Sequence, residues 1–193
     1  RLSGDIRELR AQINHAKSAY RDLLSADPDY LAYPFGEYSL AIQAAIKDMA
    51  FEAALTLHSS PVAQTTDPYA VPRYAMSEDY AHIHRVAMLM NIYALPVKDV
   101  TPRDLLLKKD RPVFGFTVTD SSINLDSLKC FLSGIGPVEV KRPDQERVEI
   151  RSPEILLDRR VRLNCTAHSK TEDGDVRWYW FGRLFTLPQP ELP

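Results

Sequence analysis

The sequence predicts an α+β fold, with helices first and an antiparallel or mixed sheet after them, ferredoxin-like in part. Two observations carry this. Through the first hundred positions apolar residues recur at helical intervals, and from Pro112 onward the period drops to two. The expected divisions are an amphipathic or coiled-coil helix over 1–26, a helical region over 27–110 with a long loop at 59–76, and a sheet domain over 111–193.

The opening stretch places Leu2, Ile6, Leu9, Ile13, Ala16, Tyr20 and Leu23 at alternating intervals of four and three. That is a heptad seam, with Asp5, Arg7, Glu8, Arg10, Lys17 and Arg21 on the remaining surface. Such a stripe serves either a helix lying on its own domain or a stalk that pairs with another helix. Asp27-Pro28 ends it, because a proline disfavours helix at the residue before it. After the aromatic link DYLAYPFGEY, a second helix is expected over 37–58, with Ile42, Ile46, Met49, Ala53 and Leu57 on one face. The stretch SSPVAQTTDPYAVP has three prolines and no period, hence a loop. Ser77 is a cap for a third helix burying Ile83, Val86, Ala87 and Met90 and ending at Leu95-Pro96. Thr101-Pro102 reads as a further helix start leading into LLLKK.

Beyond Pro112, VFGFTVT alternates with Phe114, Phe116 and Val118 on one face. NLDSLKCFLSGIG reads as a short helix with Leu125, Leu128, Leu132 and Ile135 inward, closed by Gly134 or Gly136. VEV and RVEI flank a polar turn as a hairpin. RVRLNCTAH puts Val161, Leu163, Cys165 and Ala167 inside, and VRWYWFGRLFTL is a strand with large side chains on both faces. The expected order is therefore β-α-β-β-β-β after the helices.

Of the 193 residues 45% are hydrophobic, as in ordinary globular domains, and the net charge of −2 argues against a surface built throughout for nucleic acid or anionic lipid. No run of 18 apolar residues occurs, so a membrane would be met only through a segment outside this chain. A chain opening at Arg1, without methionine and in mid-pattern, suggests a helix continued upstream. A membrane anchor there would imply a periplasmic or extracytoplasmic location, and its absence a cytoplasmic one. Cys130 and Cys165 lack metal spacing, and the count favours two buried free thiols over a disulfide. On its helix, Cys130 would lie off the apolar stripe and be partly accessible.

No catalytic, cofactor or metal constellation emerges. His82 and His84, two apart on a helix, point away from each other and cannot share one ion. Ser121, Ser122 and Ser133 lie near helix ends or turns without a nucleophile frame, and acidic pairs such as Glu172-Asp173 sit in turns. Seven glycines form no phosphate loop. The last strand stands out: Trp178, Tyr179, Trp180, Phe181 and Phe185 alternate around Arg177 and Arg183, beside Arg159, Arg160 and Arg162. Rings with guanidinium groups mark protein interfaces, and also sheets that stack single-stranded nucleic acid.

The segment FGFTVTDSSINLDSLKCFLSGIGPVEVKRPDQERVEI, together with the heptad at 2–23, resembles in pattern the periplasmic domains of inner-membrane assembly proteins of type IV pili and type II secretion systems. The resemblance implies a small ferredoxin-like unit behind a helical stalk, and it supplies no site residues. The expectation is a non-catalytic interaction and assembly scaffold that forms homo- or hetero-oligomers through the first helix. Its partner-binding residues are Leu9, Ile13, Tyr20, Arg177, Tyr179, Phe181 and Arg183. The competing expectations are a single-stranded nucleic-acid-binding domain using the last strand, disfavoured by charge, and an enzyme whose site has no recognisable motif.

Overall fold

The structure, a computed structural model, describes residues 5–77 and 80–188. The chain is a mixed α+β protein whose first helix precedes all strands. Helix α1 (Ile6–Leu24) is capped by the Asp5 carboxylate, which accepts the Arg7 N–H, and ends where Ser25 turns left-handed. Strand β1 (Tyr30–Ala32) follows, then helix α2 (Leu40–Lys47), capped by the Ser39 hydroxyl, and strand β2 (Ala53–Leu55), which pairs in parallel with β1. The second helix is shorter than the spacing predicts. Ala50 takes a positive φ of 55°, and Ala53–Leu55 is drawn off into the pairing with β1.

Helix α3 (Ile83–Met90) leads into strands β3 (Ile92–Ala94) and β4 (Val97–Thr101). The expected cap Ser77 lies outside it; His82 holds the cap position without a side-chain bond. The expected inward residues Ile83 and Met90 are 74% and 81% exposed, and the helix buries none of its residues. The helix expected after Thr101 does not form. Leu105 and Leu107 are buried, and their backbones bond to Thr186 at the end of the chain's last strand: the Thr186 N–H to the Leu105 carbonyl, the Leu107 N–H to the Thr186 carbonyl. A helical turn would need those same groups.

The remaining strands are β5 (Val113–Val118), β6 (Asn124–Leu132), β7 (Gly136–Val138), β8 (Val140–Lys141), β9 (Arg147–Arg151), β10 (Arg160–Lys170) and β11 (Val176–Thr186). The helix expected at NLDSLKCFLSGIG is instead strand β6, so 111–188 is built of strands and turns. Leu128 and Leu132 are four apart, an interval that fits both periods. Burial of Leu128, Cys130 and Leu132, with Lys129 and Phe131 outward, shows that the period of two holds. The hairpin around the polar turn is as the sequence predicts, with β8 antiparallel to β9.

Besides the β1-β2 pair, two larger sheets form among the described residues, ordered β3-β11-β10-β6-β7 and β4-β5-β9-β8. They face each other through aromatic pairs, Phe114 on Phe185 and Phe116 on Phe181, each with centroids 4.9 Å apart. Their inner faces form one apolar cluster with Tyr33, Tyr38, Ile42, Ile46, Met49 and Phe51 from the first third of the chain.

The cysteines depart from the free-thiol expectation. Cys130 and Cys165 are directly opposed on β6 and β10, with Cα atoms 4.1 Å apart, and are joined as a disulfide. Both side chains face the core, so Cys130 is buried rather than accessible. Their 35-residue separation sets the loop the bond closes. Replacing both by Ala should cost about 3–4 kcal/mol in urea unfolding. Thiol reagents should label neither position in the unreduced native protein; rapid labelling would contradict the pairing.

Candidate functional site

The heptad seam of α1 is divided between two environments. Ile6, Leu9 and Ile13 pack against the core cluster. Around them Arg10 reaches Asp48 at 2.7 Å, and the Lys17 ammonium donates to the Met49 carbonyl at 2.9 Å while lying 4.7 Å from the Phe51 ring centre. Beyond Ala16 the seam leaves the body: Tyr20 is 40% exposed, Leu23 83% and Leu24 60%. Leu2 lies outside the described residues. Of the predicted partner-binding residues on this helix, Leu9 and Ile13 are therefore used within the chain, and Tyr20 is open.

Those on β11 divide in the same way. Tyr179 and Phe181 are 8% and 6% exposed and face the opposite sheet, so their rings are core and are not presented to a partner. Arg177 lies over the Tyr93 ring at 4.6 Å on the surface. Arg183 is half-buried at the edge of the core. On the outer face Trp180 packs edge-on against Tyr74 and donates from Nε1 to Asn164 Oδ1, whereas Trp178 stays 46% exposed beside His168. An aromatic platform for stacking on the outer face is thereby reduced to Trp178 and Phe131, since Tyr93 lies on the Tyr179 side of the sheet. His82 and His84 are exposed, and no group of three metal-ligating side chains exists among the described residues.

Two polar constellations escaped the sequence reading. Glu37, 5% exposed, receives Arg159 Nη2 at 2.6 Å and Arg160 Nε at 2.5 Å. Burial works against its charged form, but the two guanidinium groups outweigh it and hold the carboxyl below its usual range. Beside them Phe35, 68% exposed at φ 58°, carries the Arg160 guanidinium 4.6 Å from its ring, and a groove of about 1190 Å³ runs between this cluster and α1. The turn depends on Gly36 at φ 70°, where a Cβ would meet Leu57 Cβ at 2.5 Å.

The second is built on His58, 3% exposed. Past Trp180 the free edge of β11 has no strand beside it among the described residues, and His58 Nδ1 accepts the Leu184 N–H at 3.0 Å. Nε2 faces the Tyr38 hydroxyl at 3.0 Å. Burial, then the Arg183 charge, pushes His58 down to about 3; burial foremost pushes Tyr38 up to about 12. Nothing in AYPFGEYSL or LTLHSSP marks these groups, because the pairing is made by distant segments. Comparison with known proteins adds no relative: no family model, curated protein or solved structure matches the chain.

His58 makes the fold acid-sensitive in a defined window. The unfolded chain takes up this proton near pH 6.5, while the folded ring stays neutral until about 3. Its contribution is complete above pH 6.5 and is lost as pH falls, by up to about 1.4 kcal/mol per pH unit. Glu37, with a lowered folded value, adds loss only below its ordinary 4.5. Urea unfolding between pH 7.5 and 4.5 should show the decline, while the ring resonances of His58 stay unchanged. A His58 resonance titrating near 6.5 would overturn this assignment.

Proposed function

We propose that the chain is a non-catalytic interaction domain that docks on protein partners, or on a second copy of itself, through the distal half of α1. The observation that carries this is the seam past Ala16: Tyr20, Leu23 and Leu24 continue a stripe whose first half is already packed, and they are in water. A fully exposed leucine forgoes about 2 kcal/mol of burial, which a partner helix would recover. The pattern resemblance to pilus and secretion assembly domains points to an envelope scaffold. The buried disulfide supports that setting, since such bonds persist in oxidising compartments. Among the described residues no helix is long and apolar enough to cross a membrane.

Replacing Leu23 and Leu24 together by Asp should lower the mass found by sedimentation at about 100 μM, a concentration suited to a weak helix pair, and leave stability within about 0.5 kcal/mol. Leu9→Asp or Ile13→Asp should instead lower stability by about 1–2 kcal/mol, since these side chains leave the core cluster's edge. A wild-type chain that is monomeric and unaffected by the distal pair would remove self-association as the mode of docking.

A further inference from the structure

We propose that the cavity between α2, the 59–72 loop and β11 binds a carboxylate group carried on an apolar body. This inference is independent of the α1 surface. The cavity holds about 460 Å³ and has Tyr38, His58 and Arg183 in its lining, with Lys47, Asp67 and Arg103 also among the residues around it. Lys47 is committed to Asp67 at 3.0 Å. Among the described residues neither Arg183 nor Arg103 has a carboxylate within ion-pair distance. A half-buried guanidinium without a counter-ion is held at a cost that an arriving anion offsets.

The hydrogen-bond chain beneath it has one direction. Because the Leu184 N–H donates to Nδ1, the neutral imidazole carries its proton on Nε2 and donates that to the Tyr38 oxygen. The Tyr38 hydroxyl proton is thereby released from His58 and left to donate elsewhere. Among the described residues it has no other acceptor. The Arg183 charge lies near enough to bear on the ionisation of both Tyr38 and His58. One guanidinium fork and one hydroxyl donor together suit the two oxygens of a planar carboxylate. Leu95, Pro96, Leu105 and Phe181 supply apolar wall for what the carboxylate is attached to. Asp67 stands against a second negative charge.

The carboxylate could belong to a small acid or to the C-terminus of a peptide, and the test separates them. Phenylacetate, inorganic phosphate, a Leu-terminated tetrapeptide with a free C-terminus and its C-terminal amide are titrated into the full chain up to about 10 mM, the range of fragment-sized ligands. The readouts are thermal shift and the Arg183 Nε–Hε NMR resonance. Phenylacetate, the free peptide, or both should shift that resonance, and the amide should not. Arg183→Gln should weaken binding by about 10- to 100-fold, the worth of a charged hydrogen bond. Should that variant fail to fold, the wild-type resonance alone decides. An unmoved Arg183 resonance, a response to the amide equal to that of the acid, or stronger binding of phosphate than of either carboxylate would overturn the proposal.

Discussion

Strand β11 is covered on both faces over its C-terminal half, and among the described residues its backbone edge there has no strand to pair with. The neighbour on that side, β3, reaches only Trp178–Trp180. Buried backbone donors and acceptors must still be satisfied. Beyond β3 the chain brings four pieces to this edge: the Leu95 N–H and the Ser60 hydroxyl to the Trp180 carbonyl, the His58 imidazole to the Leu184 N–H, and the Leu105–Leu107 backbone to Thr186. Gly182 lies under the same cover, since a Cβ there would come within 1.9 Å of the Ser59 carbonyl oxygen. This edge explains why the start of the 59–76 loop is held in place and why LLLKK does not become a helix.

The same constraint decides what could be read in advance. Strands β5, β10 and β11 were legible because their alternation is regular and their inner faces are large. Val161, Leu163, Cys165 and Ala167 are all buried as the period of two requires. The class and the opening helix were legible for similar reasons. Strand β6 was not, since leucines four apart serve either period and its neighbour β10 chose between them. The burial of Cys130 follows from that choice and was lost with it. Of the predicted partner-binding residues, periodicity placed Tyr179 and Phe181 on a common face but could not tell which face the second sheet would cover. The Glu37 and His58 constellations join positions more than a hundred residues apart, Glu37 to Arg159 and Arg160, and His58 to Leu184, and leave no local signature.

The charged cluster at Glu37 extends the same logic to the seam between α2 and the sheet. A carboxylate buried this deeply is tolerable only if paired and hydrogen-bonded, and both oxygens are engaged from the start of β10. Arg159 keeps a buried Nε without a partner, so the arrangement is tight but not fully satisfied. The left-handed turn at Phe35–Gly36 delivers Glu37 to these arginines and leaves the Phe35 ring outside, where it lies against Arg160. Backbone strain at an aromatic residue is thus coupled to an ion pair that ties the Phe35–Glu37 turn to the start of β10.

Helix α1 is fixed to this frame as far as Lys17. Its anchors are Arg10 to Asp48, Lys17 to Met49 and Phe51, and the side chains of Ile6, Leu9 and Ile13. An amphipathic helix meant only to cover its own domain gains nothing from continuing its stripe beyond the surface it covers, because each further leucine adds exposed apolar area. Here the stripe runs on for two turns, through Tyr20 to Leu23 and Leu24, and the helix stays regular to Leu24. Helices of this kind derive most of their stability from packing of the apolar face rather than from propensity. The proposed interaction role rests on that asymmetry within one helix: a proximal half packed on the core and a distal half of the same periodicity left in water.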